Sequence, residues 1–313
     1  MGKRRIWLVI CWGAIVSLDG WVLAQRAPTR RPPLRRHQAT QAGQLQLVPA
    51  SERPQIRNRV SIAIEGDHRV IRANGVPDHR TGPFPNPGNP HRLGAQSYQY
   101  RLPARPRSAE AITPLGRHSF GIAVNGVPFD PGAAEWYQGD PHGGWRYEPL
   151  SGAVPLGLDA NHGHVQPSGA YHYHGLPRDL LNELGVQAGR HSPIVGWAAD
   201  GFPIYALYGH ADPNDPGSDI RKLKSSYRLQ AGNRPDGPGG NYDGTFLADY
   251  VYVPKEGDLD ECQGRFGPTP DFPKGTYAYF LTEQWPVIPR HYRGTPSQDF
   301  QRRGPPRGPG HVR

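Results

Sequence analysis

His162-Gly-His-Val-Gln-Pro-Ser-Gly-Ala-Tyr-His-Tyr-His174 sets histidine at every second position on both sides of Gln166-Pro-Ser-Gly169. Successive strand residues point to opposite faces, so this alternation about a turn is the pattern of a β-hairpin. Pro167 suits the first central position of a type I turn and Gly169 the left-handed position that follows, which predicts a three-residue loop with Gln166 facing Ala170. Counting outward pairs Val165 with Tyr171, His164 with His172, Gly163 with Tyr173, and His162 with His174. All four imidazoles then share one face, and Val165, Tyr171 and Tyr173 take the other. A two-residue loop would shift the register by one and set histidines against tyrosines.

Directly opposed side chains stand about 4.5–5.5 Å apart at Cβ, within reach of one ion for three or four rings. Neutral imidazole ligates zinc, copper, iron and nickel. The alternative is a histidine-rich strand whose rings are hydrogen-bonded with no ion. Two His-x-His segments around one turn favour the metal, copper or zinc, with His164, His172, His174 and His162 as candidate ligands.

Gly169-Ala-Tyr-His-Tyr-His-Gly175, preceded by Leu158-Asp-Ala-Asn161 and His164-Val-Gln-Pro167, resembles the hallmark of the YHYH family. The resemblance continues through Gly201-Phe-Pro-Ile-Tyr205, Asp258-Leu-Asp-Glu-Cys262, Gly275-Thr-Tyr-Ala-Tyr279 and Arg293-Gly-Thr-Pro296. It implies an exported protein and supplies little chemistry. His164, His172 and His174 match the motif; position 162 is commonly another residue in the family. The resemblance also implies a second cysteine near Arg290-His-Tyr-Arg-Gly294, where this chain carries His291. Cys262 is therefore a buried inert thiol, an intermolecular disulfide partner, or a soft ligand sharing a second ion with His291.

Met1 to Arg5 is basic, Ile6 to Leu23 is apolar, and Val22-Leu-Ala24 ends in small residues. This is the layout of a secretory signal peptide over 1–24, favoured over an uncleaved anchor because Ser17, Asp19 and Gly20 interrupt the apolar run. An exported chain, in periplasm, cell surface or medium, follows. Residues 25–55 mix Arg26, Arg30, Arg31, Arg35, Arg36 and Arg53 with proline and glutamine, and 294–313 place Arg302, Arg303, Arg307 and Arg313 between glycines and prolines. Both read as disordered basic tails flanking a single domain over 56–293.

The formal charge of +9 comes from these flanks. Removing their arginines, with Lys3, Arg4 and Arg5, against Asp19, Glu52 and Asp299 leaves the domain near neutral. No specific nucleic-acid surface follows, because such a surface needs its charge clustered on the folded part. Contact of the tails with anionic envelope polymers or lipids is the available role.

Gly 40 and Pro 36 accompany Trp 7, Tyr 15 and Phe 9. That is too aromatic for disorder and implies a mainly β, sandwich-like domain of short antiparallel strands with little helix. Strands are predicted over 59–65, 68–72, 97–102, 119–124, 192–198 and 204–208, with a strand at 275–281 neighbouring the histidine hairpin. Asn74-Gly75, Asn125-Gly126 and Asp200-Gly201 are turn signals. One helix is predicted from Pro177, with Leu180, Leu181 and Leu184 on a face and Gly185 as the stop.

Other chemistry is sparser. Asp159 is placed to orient an imidazole or to cap a turn; Asp200 and Glu148 are further carboxylates. Asp258, Asp260 and Glu261 form a candidate calcium loop, or a solvated acidic turn. No nucleophile elbow, phosphate loop or metalloprotease histidine pair is present, so nucleophilic hydrolysis has no support. A second class of function, a non-catalytic module for carbohydrate or peptide, would use Trp136, Tyr137, Trp145 and Tyr147 as a stacking surface.

Overall fold

The computed structural model describes residues 36–116 and 118–301. The signal-peptide stretch, Arg26 to Arg35 and the tail beyond Gln301 lie outside the described residues. Within them the protein is mainly β, with short strands in one eight-stranded sheet, one three-stranded sheet and three two-stranded ribbons. No helix of the described residues is long and apolar enough to cross a membrane.

The three-stranded sheet begins as the alternation predicts. Val60–Glu65 pairs antiparallel with His68–Ala73 from Val60↔Ala73 to Glu65↔His68, with Gly66 at a positive φ of 63° in the two-residue turn. Tyr98–Pro103 then adds on the other side of His68–Ala73. Only the middle strand is well covered, with Val70 and Ile71 fully buried, so the first strand supplies pairing more than core.

The large sheet runs Gly264–Thr269, Phe272–Leu281, Pro203–Ala206, Gly196–Ala198, Gly121–Ala123, Pro128–Phe129, Tyr171–Tyr173, Gly163–Val165 in spatial order. Asn125-Gly126 and Asp200-Gly201 form the turns within it, with Gly126 at φ 82° and Gly201 at φ 91°. Asn74-Gly75 does not close a hairpin: the chain leaves the sheet there and returns at Tyr98. The sheet is mixed, because Phe272–Leu281 pairs parallel with Pro203–Ala206 and Phe129 pairs parallel with Tyr173.

The 275–281 strand shares this sheet with the histidine hairpin and is not its neighbour. Four strands separate them. Tyr277, Ala278, Tyr279, Phe280 and Leu281 are all buried, so the strand needs cover on both faces and takes an interior place; the hairpin is instead joined through the hydrogen bond from Asp130 N–H to the Tyr173 carbonyl, 2.9 Å. The helix Arg178–Glu183 forms as predicted, burying Leu180 and Leu181 and passing into Gly185 at φ 75°. A ribbon pairing Ser108–Pro114 with His291–Gly294 was not legible, since the first of these strands has mostly exposed or partly exposed side chains.

Both domain boundaries move outward. Residues 36–55 are extended as their composition suggests, yet they are laid onto the domain through bridges His37↔Tyr137, Val48↔Asp159 and Glu52↔Thr81. At the other end Gly294 N–H donates to Asp200 at 2.9 Å, and Phe300 is buried against Tyr100 with ring centroids 4.1 Å apart. Segments without apolar periodicity are held here by edges they did not build, which composition alone does not reveal. Phe300→Ala is expected to lower the unfolding free energy by about 3 kcal/mol, as for other buried phenylalanine truncations, measured by urea denaturation against the parent; a loss below a few tenths would place residues 294–301 outside the domain.

Candidate metal centre

The hairpin adopts the register that the Pro-Ser-Gly loop predicts. Gln166 N–H donates to Ala170 O at 2.9 Å and Gly169 N–H to Gln166 O at 2.8 Å, with Gly169 at φ 86°. Gly163↔Tyr173, His164↔His172 and Val165↔Tyr171 are the Cα partners.

Three imidazoles meet on one face. His172 Nε2 lies 3.0 Å from His174 Nε2, and His174 Nε2 lies 3.1 Å from His164 Nε2. Ring centroids are 4.6–4.7 Å apart. His172 and His174 are buried and His164 partly so, and the trio is the one grouping of three or more potential metal ligands among the described residues.

Proton bookkeeping makes this arrangement informative. His164 Nδ1 is 3.0 Å from Leu156 O and His172 Nδ1 is 3.4 Å from Ala170 O. A carbonyl accepts only from a protonated nitrogen, so in the tautomers that make these two contacts the neutral His164 and His172 carry their lone pairs on Nε2, pointing inward. A neutral His174 has one proton to offer two such lone pairs, and its own buried Nδ1 has no partner. Protonating the rings is no remedy. Burial first, and then the neighbouring His172, push His164 down to about 3. His174 is lowered well below the usual 6.5, again by burial first and then by His164 and His172.

The opposite face of the hairpin is a rigid polar footing. Tyr171 and Tyr173 are fully buried. Tyr171 OH donates to Asp159 Oδ2 at 2.8 Å, and the same carboxylate accepts from the N–H groups of Gly82, Asn161 and Gly163 at 3.1, 2.9 and 3.1 Å. Burial raises the Asp159 carboxyl above its ordinary value even so. Tyr173 OH meets His79 Nε2 at 2.6 Å and accepts from Asn125 Nδ2 at 3.0 Å. His79 and Asn125 are distant in sequence, so spacing could not find them; the one signal was Asn125, already marked by its Asn-Gly turn.

Asp159 thus caps the turn and anchors a tyrosine; its side chain makes no hydrogen bond to an imidazole. His162 stands apart from the trio. Its φ of 51° takes it out of strand alternation, and its ring turns to the Leu176 carbonyl, with Nδ1 at 2.9 Å. Its main-chain carbonyl still accepts from His174 N–H at 2.8 Å, so the backbone follows the pattern where the side chain does not.

None of the remaining candidates joins a group of three or more potential ligands among the described residues. Asp258 accepts from Lys224 N–H at 2.7 Å and pairs with Arg221. Asp260 turns inward to accept from Tyr277 OH at 2.9 Å and from Cys262 N–H at 2.9 Å. With Glu261 exposed, the three acids form no calcium cage. Cys262 is a buried core residue, its thiol pushed up to about 12 by burial first and then by Asp260. That disfavours the thiolate a metal needs. His291 lies on the strand His291–Gly294 with its Nδ1 buried and without a hydrogen-bond partner. Asp200 accepts from Tyr279 OH at 2.5 Å, and Glu148 from Trp285 Nε1 at 2.8 Å and Arg290 at 2.8 Å; both are structural. Trp145 and Tyr147 are buried with Phe246 in a small satellite core, and Trp145 Nε1 donates to Asp236 at 2.8 Å. Of the expected aromatic stacking surface only Trp136 and Tyr137 keep partial exposure.

Fold and site define a mainly β protein with three histidines gathered on a tyrosine-backed hairpin. The YHYH protein family model matches residues 99–294, and the chain belongs to that family. No curated protein and no solved structure matches it.

Tyr171→Phe leaves a buried carboxylate one donor short, and a loss of about 2 kcal/mol in unfolding free energy is expected from chemical denaturation. A pH effect also follows for the protein in a chelator. His164 and His174 have folded pKa values below the unfolded value of 6.5, so the unfolded chain takes up their protons first. Their contribution is complete above that value and is progressively lost as pH falls below it. Thermal unfolding between about pH 7 and about pH 5 should show this fall, and His164→Gln with His174→Gln should flatten it; an unchanged slope would contradict the burial assigned to these rings.

Proposed function

We propose that this YHYH protein is an exported metalloprotein that holds one transition-metal ion, copper or zinc, on His164, His172 and His174. The observation that carries the proposal is the convergence of three Nε2 atoms, at 3.0 and 3.1 Å, in one group of potential ligands on the hairpin. Imidazole nitrogens bound about 2.0–2.1 Å from a tetrahedral ion stand roughly 3.3 Å from one another, so little movement is needed to fit one. The site is also prepared in charge, because burial keeps His164 and His174 in the neutral, ligating form.

Carbonyl partners at Nδ1 orient His164 and His172 in the manner usual for metal-bound imidazole. Three protein nitrogens leave a further position for solvent or substrate, and copper or zinc bound there would supply Lewis-acid or, for copper, redox chemistry. Export is supported by the basic start, apolar run and small-residue end of residues 1–24. The basic flanks suit contact with anionic envelope surfaces.

Elemental analysis of protein dialysed against each metal tests the centre. One ion per chain is expected for the parent and none for His172→Ala with His174→Ala. Saturating metal should stabilise the parent by about 2.7 kcal/mol at a hundredfold excess over Kd and leave the double variant unmoved. A metal-free parent with unshifted unfolding would refute the proposal.

A further inference from the structure

A cleft of about 600 Å³ opens beside the histidine trio, and His172 is part of its lining. Asp130 lies in the same lining, is 3% exposed and is near enough to His164 to act on its charge. Gln166 Nε2 reaches that carboxylate at 3.4 Å. Tyr98, Tyr100 and Phe300 line another part of the cleft, stacked in sequence with centroids 5.4 and 4.1 Å apart. Tyr100 and Phe300 are buried and back the partly exposed Tyr98. Gly75 helps to hold that ring: a Cβ there would come within 2.6 Å of Tyr98 Cε2.

The chemistry of this lining selects a ligand class. Amides and hydroxyls of Gln96, Ser97, Gln99 and Ser168 stand beside the tyrosine ring, with two carboxylates, Asp130 and Asp299, and one guanidinium, Arg101. A polyanion would meet a net negative lining. A purely apolar ligand would strip water from the exposed Ser97 and Gln99 side chains without replacing it. A peptide adding to the outer edge of Tyr98–Pro103 finds the Arg101 N–H already donated to Asp299 Oδ2 at 2.8 Å. A neutral sugar has C–H faces to stack on tyrosine and hydroxyls for the amides and carboxylates.

We infer that this cleft binds a neutral saccharide and brings one of its hydroxyl-bearing units up to the three-histidine centre. The placement beside an ion rests on the metal reading above; the binding itself does not. Titration calorimetry of the full chain in chelator, with cellohexaose, maltohexaose and chitohexaose as probes, reads the cleft alone. Binding of at least one is expected, weakened at least tenfold by Tyr98→Ala and by Ser97→Trp, neither of which touches the histidines. Dextran sulfate and a neutral hexapeptide are the comparators. In copper-loaded protein, paramagnetic broadening of the saccharide proton signals should appear and vanish in Ser97→Trp while copper content stays at the parent level.

Absence of binding to all three sugars, tighter binding of either comparator, or affinity unchanged in both variants would overturn the inference. Binding without broadening in copper-loaded protein would overturn the placement beside the centre. Failure to take up either copper or zinc with sugar affinity intact would instead refute the metal centre and uphold the cleft.

Discussion

The short loop that sets Gln166 against Ala170 is the constraint from which the site follows. Side chains on a strand alternate with period two, so one residue of slip would exchange the histidine and tyrosine faces entirely. The Gln166–Ala170 hydrogen bond and the left-handed Gly169 exclude that slip. Buried partners on the tyrosine face then reinforce it: Asp159 holds Tyr171, and His79 with Asn125 holds Tyr173. The hairpin is held from behind, so its backbone keeps the imidazoles on one face.

This design carries a local cost. Three rings are crowded together, and in that setting the cationic forms of His164 and His174 are suppressed. A buried polar atom without a hydrogen-bond partner, here His174 Nδ1, calls for a specific cause such as a bound ion. The same crowding at a pure packing site would be relieved by an apolar substitution, which is why the histidine trio stands out from the other buried polar clusters. Asp159, Asp200 and Asp260 each collect several donors and so read as structural.

The position of the hairpin in the sheet gives it access as well as rigidity. It forms one edge of the eight-stranded sheet, so His172 borders a cleft while Tyr171 and Tyr173 face the core. Asp130 connects these roles, since its N–H ties the neighbouring strand to Tyr173 and its side chain lines the cleft. The three-stranded sheet and the segment ending in Phe300 supply the facing wall.

Local pattern by itself determined the β class, the hairpin register, the shared face of His164 and His172, and the helix at Arg178–Glu183, because each depends on period, turn residues and stop signals within a dozen positions. Tertiary structure decided what lies beyond that range. His162 leaves the cluster because a positive φ and the Leu176 carbonyl redirect its ring, and strand 275–281 sits four strands away because its residues need cover on both faces. The flanking segments 36–55 and 294–301 join the domain through backbone donors and one buried phenylalanine, contacts that no composition measure registers. Asp130 and His79 were invisible in sequence, and Asn125 showed only its turn, for one physical reason: their partners lie far along the chain, and only the folded sheet brings them together.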